Sequence, residues 1–308
     1  MTQIRKTIAA ALLLLSFSTP AAFAQYQQGG GQQHSQADRQ ARYNEMLARM
    51  KEEAKAYYAD ADTAEYGVRY RMKYLYNKAN NLTFAEDRVV LIHPRVALDM
   101  SYESIGEIRW RNANPDSNAA DPGLAYHLTP SYYFFYPESG RTVNTYRVIG
   151  EEFKLSDKVC DNKWTITGEE MKIGVYNCRK ATLTKDGREW TAWFTTDLPH
   201  RGAPRNFNGL PGVVLQVTDA DKEVCWYFNG LVENLEDDIL HIKFPERFTT
   251  IPVENFGKVV RIIAVSEAHG QSYIQQSGAM SKYKGFYPEK FRPSTGIDAC
   301  NIDNPIER

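Results

Sequence analysis

The chain has 308 residues, with 37 basic and 38 acidic side chains and a formal net charge of −1 at pH 7. This balance, without a basic stripe, argues against nucleic acid as a partner. The chain also contains 19 tyrosines, 14 phenylalanines and 5 tryptophans, and this aromatic content favours β-strands over helices.

The first 24 residues have the pattern of a secretory signal peptide. Arg5 and Lys6 precede an apolar run of about ten residues, and Ala22 and Ala24 occupy the small-residue positions before a cleavage site. The run is shorter than the roughly 20 residues of a membrane span. A buried N-terminal helix is the alternative. The pattern predicts cleavage near Ala24, a periplasmic or secreted protein, and no transmembrane segment in the mature chain.

Two segments precede the predicted domain. Residues 25–35 are rich in glutamine and glycine and are predicted to form a flexible tether. Residues 36–60 are predicted to form an amphipathic helix whose apolar residues recur at steps of three and four. This apolar stripe is expected to pack on the domain, with binding to a membrane surface as the alternative. It consists of Tyr43, Met46, Leu47, Met50, Ala54 and Tyr57.

Residues 61–308 are predicted to form a β-rich domain. Apolar and charged residues alternate from Tyr66 to Tyr76, which is typical of a half-buried strand. A short buried strand is predicted at Val89–Ile92, a helix over Ser101–Ile108, and a loop at Ala113–Gly123. Further strands are predicted at 131–136, 142–149, 153–155, 163–167, 172–181, 189–196, 213–218, 223–228 and 238–244.

Turn residues separate these strands. The Asp186-Gly187 pair between two alternating runs is a strong hairpin signal. A second hairpin turn is predicted around Gly168 and Glu169. Pro252 is predicted to open a C-terminal helix. The expected fold is mainly β (α+β): an antiparallel twisted sheet or open barrel with an N-terminal amphipathic helix and a C-terminal helix.

Four cysteines lie in the predicted mature chain, without the CxxC spacing of redox or zinc motifs. An even number in an exported chain indicates disulfides, and three pairings are possible. Cys160 and Cys178 lie nine residues either side of Glu169, so a hairpin centred there predicts a Cys160–Cys178 bond. Cys225–Cys300 is then the remaining pair, and free buried thiols are the alternative.

The sequence contains no recognisable catalytic or metal-binding motif. None of the six histidines lies three to five residues from another, so the spacing of a helical zinc motif is absent. No GxSxG elbow is present. We therefore expect no metal and no cofactor. The weak catalytic candidates are Asp197, His200 and Arg201, which lie close together in one loop and could equally be a solvent-exposed loop end.

The segment Gly209-Leu210-Pro211-Gly212 precedes a strand-like run. It lacks the spacing of a phosphate-binding loop, and Pro211 removes a backbone donor that such a loop requires. It fits a type II turn instead, with proline fixing the first central residue and Gly212 at positive φ in the second. The sequence predicts a structural corner, with ligand contact as the alternative.

The chain resembles the GLPGLI family of exported proteins of Bacteroidota. The resemblance covers most of the mature chain from about Tyr66 and departs from the family pattern at Val213-Val214, where Leu-Ile is usual. The family has no established activity, so the resemblance implies compartment and fold, not mechanism. It rests on Trp164 together with the segments GVYNCRKA (174–181), AWFTTDLP (192–199), GLPGVVLQV (209–217) and NPIER (304–308).

Three hypotheses about function follow. The first is a non-enzymatic envelope protein whose β domain binds an apolar ligand or peptide in the concave face of its sheet. The second is a hydrolase whose site uses Asp197, His200 and Arg201. The third is an accessory factor that binds an outer-membrane protein partner through the tether and N-terminal helix.

Overall fold

The computed structural model describes residues 61–103, 105, 131–148, 151–232, 241–242 and 250–253, together with scattered positions between 41 and 60. This part of the chain is mainly β. Its strands are β1 Asp62–Thr63, β2 Tyr66–Asn77, β3 Leu82–His93, β4 Val96–Ser101, β5 Ser131–Tyr136, β6 Arg141–Val148, β7 Glu151–Val159, β8 Thr165–Ile173, β9 Tyr176–Lys185, β10 Arg188–Thr195, β11 Val213–Asp219, β12 Val224–Leu231, β13 His241–Ile242 and β14 Thr250–Val253.

Twelve of these strands form one sheet in the order β14-β7-β6-β5-β4-β3-β2-β12-β11-β10-β9-β8. Neighbouring strands are antiparallel, except that β14 runs parallel to β7. Strands β1 and β13 pair separately. The expected antiparallel sheet is confirmed.

The sheet carries two apolar clusters, one on each face. We call inner the face that carries Tyr70, Val90, Trp190 and Trp226, which belong to the larger cluster. The opposite face, the outer face, carries a second cluster over β3 to β6. Strand β3 contributes to both, so Val89–Ile92 is buried on both sides. That buried stretch was predicted from the sequence, whereas the rest of the twelve-residue strand was not.

The sheet curls toward its inner face at the β8 end. Tyr176 of β9 packs edge-on against Phe228 of β12, with ring centroids 5.8 Å apart. In a flat sheet, the three strand spacings between β9 and β12 would amount to about 14 Å. A Cβ at Gly174 would also lie only 3.5 Å from the Phe228 ring. The β8–β9 end therefore folds over the inner face.

The two predicted hairpin turns have opposite outcomes. Asp186 and Gly187 have φ of 52° and 69° between β9 and β10, which confirms the Asp-Gly hairpin. The turn predicted around Gly168 is wrong, because β8 runs through that position and the chain turns after it, at Gly174 with φ of 59°. An irregularity between Ile166 and Glu170 accommodates the polar stretch without ending the strand.

The predicted helices are not confirmed. Pro252 lies within β14, so a helix does not begin there, and the remainder of the predicted C-terminal helix lies outside the described residues. Described positions such as Arg42 and Arg49 have helical backbone, but the apolar stripe of the N-terminal helix lies outside the described residues. Strand β4 was not predicted, although all of its residues are buried.

Candidate functional site

The loop that connects β10 to β11, residues 196–212, crosses the inner face of the sheet. Within it, Gly202 forms a parallel bridge with Val213, and the Val214 amide donates to the Gly202 carbonyl at 2.9 Å. The side chains of Ala203, Phe207 and Leu210 are buried in the inner cluster. We call this segment the 196–212 loop. Residues 196–201 of this loop are mostly exposed, whereas residues 202–212 are mostly buried and form part of the core.

Phe207 occupies the centre of an aromatic group on the inner face. Its ring centroid lies 4.6 Å from that of Trp190, 5.4 Å from Trp226 and 6.4 Å from Trp164. These distances are typical of tilted or edge-to-face aromatic pairs in direct contact. Phe207 therefore fills the space between the three tryptophans.

The backbone just before the GLPG corner is held by the segment ahead of β8. The Asn208 carbonyl accepts hydrogen bonds from Cys160 Sγ at 3.3 Å, Asn162 Nδ2 at 2.8 Å and Trp164 Nε1 at 3.1 Å. Asn162 Nδ2 also donates to the Asn206 carbonyl at 2.7 Å. These contacts satisfy backbone acceptors that would otherwise be costly to bury. They also give Trp164, one residue of the family resemblance, a structural role.

The GLPG corner is structural, but the predicted type II turn is wrong. Positive φ occurs at Gly209, at 109°, and not at Gly212. Gly212 is needed for another reason: a Cβ there would lie 2.0 Å from the Thr195 carbonyl oxygen. The backbone of the corner packs directly against the end of β10. This close approach of two backbones, which cannot be predicted from the sequence, requires a glycine at position 212.

A buried charged network lies where the loop meets β3 and β4. Arg88 donates from Nε to Asp99 Oδ1 at 2.8 Å and from a terminal nitrogen to Glu86 Oε2 at 3.3 Å. The backbone N–H of Arg205 donates to Asp99 Oδ2 at 2.5 Å. The Arg205 guanidinium lies 5.2 Å from the Tyr133 ring centroid. The network thus joins two strands of the sheet to the 196–212 loop.

Burial and charge pairing shift the pKa values of this network in opposite directions. It raises the pKa of Asp99, and the charge of Arg88 offsets that shift only in part. Burial lowers the pKa of Arg88, but Asp99 and Glu86 more than compensate, so its pKa is raised and it stays charged. Burial also raises the pKa of Tyr70, whose hydroxyl donates to the Val214 carbonyl at 2.5 Å.

This network was not predicted from the sequence. A signal was present, because Glu86 and Arg88 occupy the same alternate positions of β3 as the inner-face residues Val90 and Ile92. Two charges in the apolar register of a strand indicate a buried ion pair. The third member, Asp99, lies on β4, which was not predicted.

The three catalytic candidates of the loop contact three different partners. Asp197 accepts from the backbone and side-chain nitrogens of Asn177 at 2.7 and 3.2 Å. Arg201 donates to the Pro137 carbonyl at 2.5 Å. The Nε2 atom of His200 lies 2.8 Å from Glu65 Oε2. No hydrogen bond joins any two of the three.

The contact between Glu65 and His200, at the exposed end of the loop, has a geometry that could support catalysis. Both side chains are partly exposed, and His200 has a φ of 68°, which is uncommon for a residue with a side chain. A carboxylate beside histidine forms the base-orienting half of a hydrolytic triad. Within the described part of the chain, His200 has no hydrogen bond to a hydroxyl or thiol that could act as nucleophile.

The predicted Cys160–Cys178 disulfide is wrong. Both residues are free thiols, because Cys178 pairs with Met171 across the β8–β9 hairpin whereas Cys160 precedes β8 and contacts the loop. Burial raises the pKa of Cys178 to about 11 and also raises that of Cys225. Cys225 is a free thiol among the described residues. Cys300, its predicted partner, lies outside them.

Neither a metal-binding cluster nor a membrane-spanning helix occurs among the described residues. No three side chains among histidine, cysteine, aspartate and glutamate come together as a set that could hold a metal ion. No described helix has the length and apolar character needed to cross a membrane.

Comparison with known proteins adds no functional assignment. No family model and no curated protein matches the chain. One solved structure of PNGF-II is 12% identical with a TM-score of 0.42, and the match covers 64% of this chain but only 32% of that one. An uncharacterised conserved protein from Thermus thermophilus is 7% identical with a TM-score of 0.29, and the match covers 61% of this chain and 90% of that one.

A DUF1329 family protein from Desulfovibrio piger is 8% identical with a TM-score of 0.24, and the match covers 58% of this chain and 90% of that one. Since all these scores are below 0.5, they support no argument about function. The resemblance to the GLPGLI family is not tested by them and stays a prediction.

Proposed function

We propose that this protein is a non-catalytic binding module of the cell envelope, exported through its predicted signal peptide. The observation that carries the proposal is the packing of the 196–212 loop into the inner face. The loop contains Asp197, His200 and Arg201, the residues that a hydrolytic site would need. Each of these side chains contacts a different partner outside the loop, and these contacts hold the loop in place.

This packing also changes where a ligand is expected. A ligand in the concave face requires space, and Phe207 fills the part of the inner face between Trp164, Trp190 and Trp226. Leu210 and Ala203 pack into the same cluster. We therefore propose that a ligand binds on the outer face of the sheet, and not between the inner face and the 196–212 loop.

A retention experiment tests the proposal. The mature protein, immobilised, is incubated with separated lipid, peptide and glycan fractions of a bacterial envelope, and the retained material is analysed by mass spectrometry. A binding module retains a ligand chemically unchanged, with at most one equivalent per chain. Retention of nothing, or accumulation of altered products beyond one equivalent, contradicts the proposal.

The Glu65–His200 contact favours a second candidate, a hydrolase with its site at the surface end of the loop. In that case the altered products of the same incubation disappear in the His200→Ala variant. The matched control is His93→Ala. His93 also lies near a carboxylate, with Nδ1 3.5 Å from Asp62 Oδ1, but it is not in the loop. The accessory-factor hypothesis rests on residues 25–60 and stays a prediction.

A further inference from the structure

A row of five directly paired residues crosses the outer face between β9 and β2, and one of them, the partly buried Trp193, also packs against the inner cluster. The register pairs Trp193 with both Lys180 and Gln216, pairs Gln216 with Tyr227, and pairs Tyr227 with Arg71. Directly paired residues project from the same face of a sheet. We call these five residues the outer row. Its order is cation, aromatic ring, amide, aromatic ring, cation.

The sheet sets the spacing of the backbone positions that carry the two aromatic rings. The Cα atoms of Trp193 and Tyr227 are separated by two strand spacings, or about 9.6 Å, and the curl toward the inner face spreads their side chains further apart on the outer face. The rings are therefore separated by at least about the length of one disaccharide unit in an extended glycan. Sugar rings present faces of C–H groups that pack on aromatic rings, so two rings at this distance suit alternate sugars of one chain.

A second row on the same face consists of threonines. Thr165 pairs with Thr182, Thr182 with Thr191, and Thr191 with Thr218. All four are at least partly exposed, and within the described part of the chain none of their hydroxyls makes a hydrogen bond. We call them the threonine row. It runs beside the outer row, two residues along each strand.

The outer row also has polar groups without a protein partner. Within the described residues, neither the Gln216 amide nor the Trp193 indole N–H makes a hydrogen bond, and both side chains are half-buried. With the neighbouring hydroxyls, they offer donors and acceptors on both sides of the aromatic rings. A surface of this kind suits a ligand that carries many hydroxyl groups.

The charge of this face is positive. Lys180 pairs with Glu169 at 2.8 Å, and Arg71 shares Asp87 with Arg69. Lys73 is exposed and pairs with Cys225 at the end of the threonine row. Glu189 is also exposed on this face, two residues from Thr191 on β10, so four cations face three carboxylates. The excess of one positive charge, with a cation at each end of the outer row, complements an acidic ligand.

We propose that the outer row and the threonine row bind one chain of an acidic polysaccharide. The chain would cross the sheet from β9 to β2, with its carboxylates toward Lys180 and Arg71. This inference rests on the proposed binding function and names its ligand class. The two rings and the interleaved hydroxyl and amide groups favour a glycan over an acidic protein.

Calorimetric titration of the mature protein tests the inference. The acidic probes are hexasaccharides of galacturonic acid and of mannuronic acid, and the neutral probe is cellohexaose. We expect at least one acidic probe to bind at least tenfold more tightly than the neutral one. Trp193→Ala and Tyr227→Ala each weaken that binding by about tenfold. Added salt is expected to weaken the binding of the acidic probe to the wild-type protein.

Three variants separate binding from folding. Trp193→Tyr keeps a ring at the position and is expected to retain affinity within about threefold. Thr191→Val keeps the shape but removes a hydroxyl, and is expected to weaken binding by about threefold. Tyr136→Ala removes a half-buried tyrosine from the far half of the sheet and is expected to leave affinity unchanged.

The outcomes are distinguishable. Affinity that survives both Trp193→Ala and Tyr227→Ala overturns the site, and equal affinity for the neutral probe overturns the acidic assignment. If neither acidic probe binds while the immobilised protein retains another envelope ligand, this inference fails and the proposed function stands. If nothing is retained in either experiment, both fail.

Discussion

Replacing Gly212 by alanine is expected to destabilise the fold by about 3 kcal/mol, at the upper end of the usual cost of overpacking. The added Cβ would lie 2.0 Å from the Thr195 carbonyl oxygen and 2.8 Å from its carbonyl carbon. An ordinary contact requires about 3.5 Å, so one of two backbones must move by about 1.5 Å. No rotamer change can relieve this contact. Urea unfolding of the wild type and variant measures the difference.

Two further variants show whether the close approach is the cause. Gly168→Ala in β8 has no atom within 4 Å of the new Cβ and is expected to change stability by less than about 0.5 kcal/mol. Gly212→Asn distinguishes a clash from a positive-φ requirement, because asparagine tolerates positive φ. We expect it to be at least as destabilising as alanine. A loss below about 1 kcal/mol for either Gly212 variant refutes the reasoning.

Three other predictions concern the interior. Asp99→Ala leaves a buried guanidinium underpaired and is expected to cost about 3–5 kcal/mol in urea unfolding, against less than about 1 kcal/mol for the partly exposed Asp87→Ala; equal costs would contradict the network. Phe207→Ala is expected to cost about 3–5 kcal/mol and to shift tryptophan emission to longer wavelength, and an unchanged spectrum would argue against its position. Because the pKa of Cys178 is raised to about 11, its thiol should be alkylated slowly at pH 8 and faster as the pH rises. A disulfide-linked peptide containing Cys160 and Cys178 in a non-reducing digest would show that the two thiols are not free.

Local patterns predicted most of the strands. Alternation over Tyr66–Tyr76 and the Asp186-Gly187 turn each depend on a few neighbouring residues, and both are confirmed. Strand β4 was missed because it is short: apolar and polar residues alternate only over Leu98–Ser101, although all six of its residues are buried. The turn predicted around Gly168 failed because β8 continues through a local irregularity.

The site depends on contacts that are distant in sequence. Asp99 and Arg205 are 106 residues apart, and Glu65 and His200 are 135 apart. The GLPG corner illustrates the limit: its structural role could be predicted, but the clash with Thr195 that explains Gly212 exists only once β10 and the loop are folded together. The rows of the outer face likewise require the register of several strand pairs.

Amide hydrogen exchange of the 196–212 loop tests the central claim most directly, namely that this loop is a packed element of the core and not an accessible site. The informative amides are those of Arg205, which donates to Asp99, and Phe207, which donates to the Pro204 carbonyl. We predict that both exchange only through global unfolding, with protection similar to that of β11. Exchange of the Arg205 amide at the rate of an open loop, while β11 stays protected, would contradict the account.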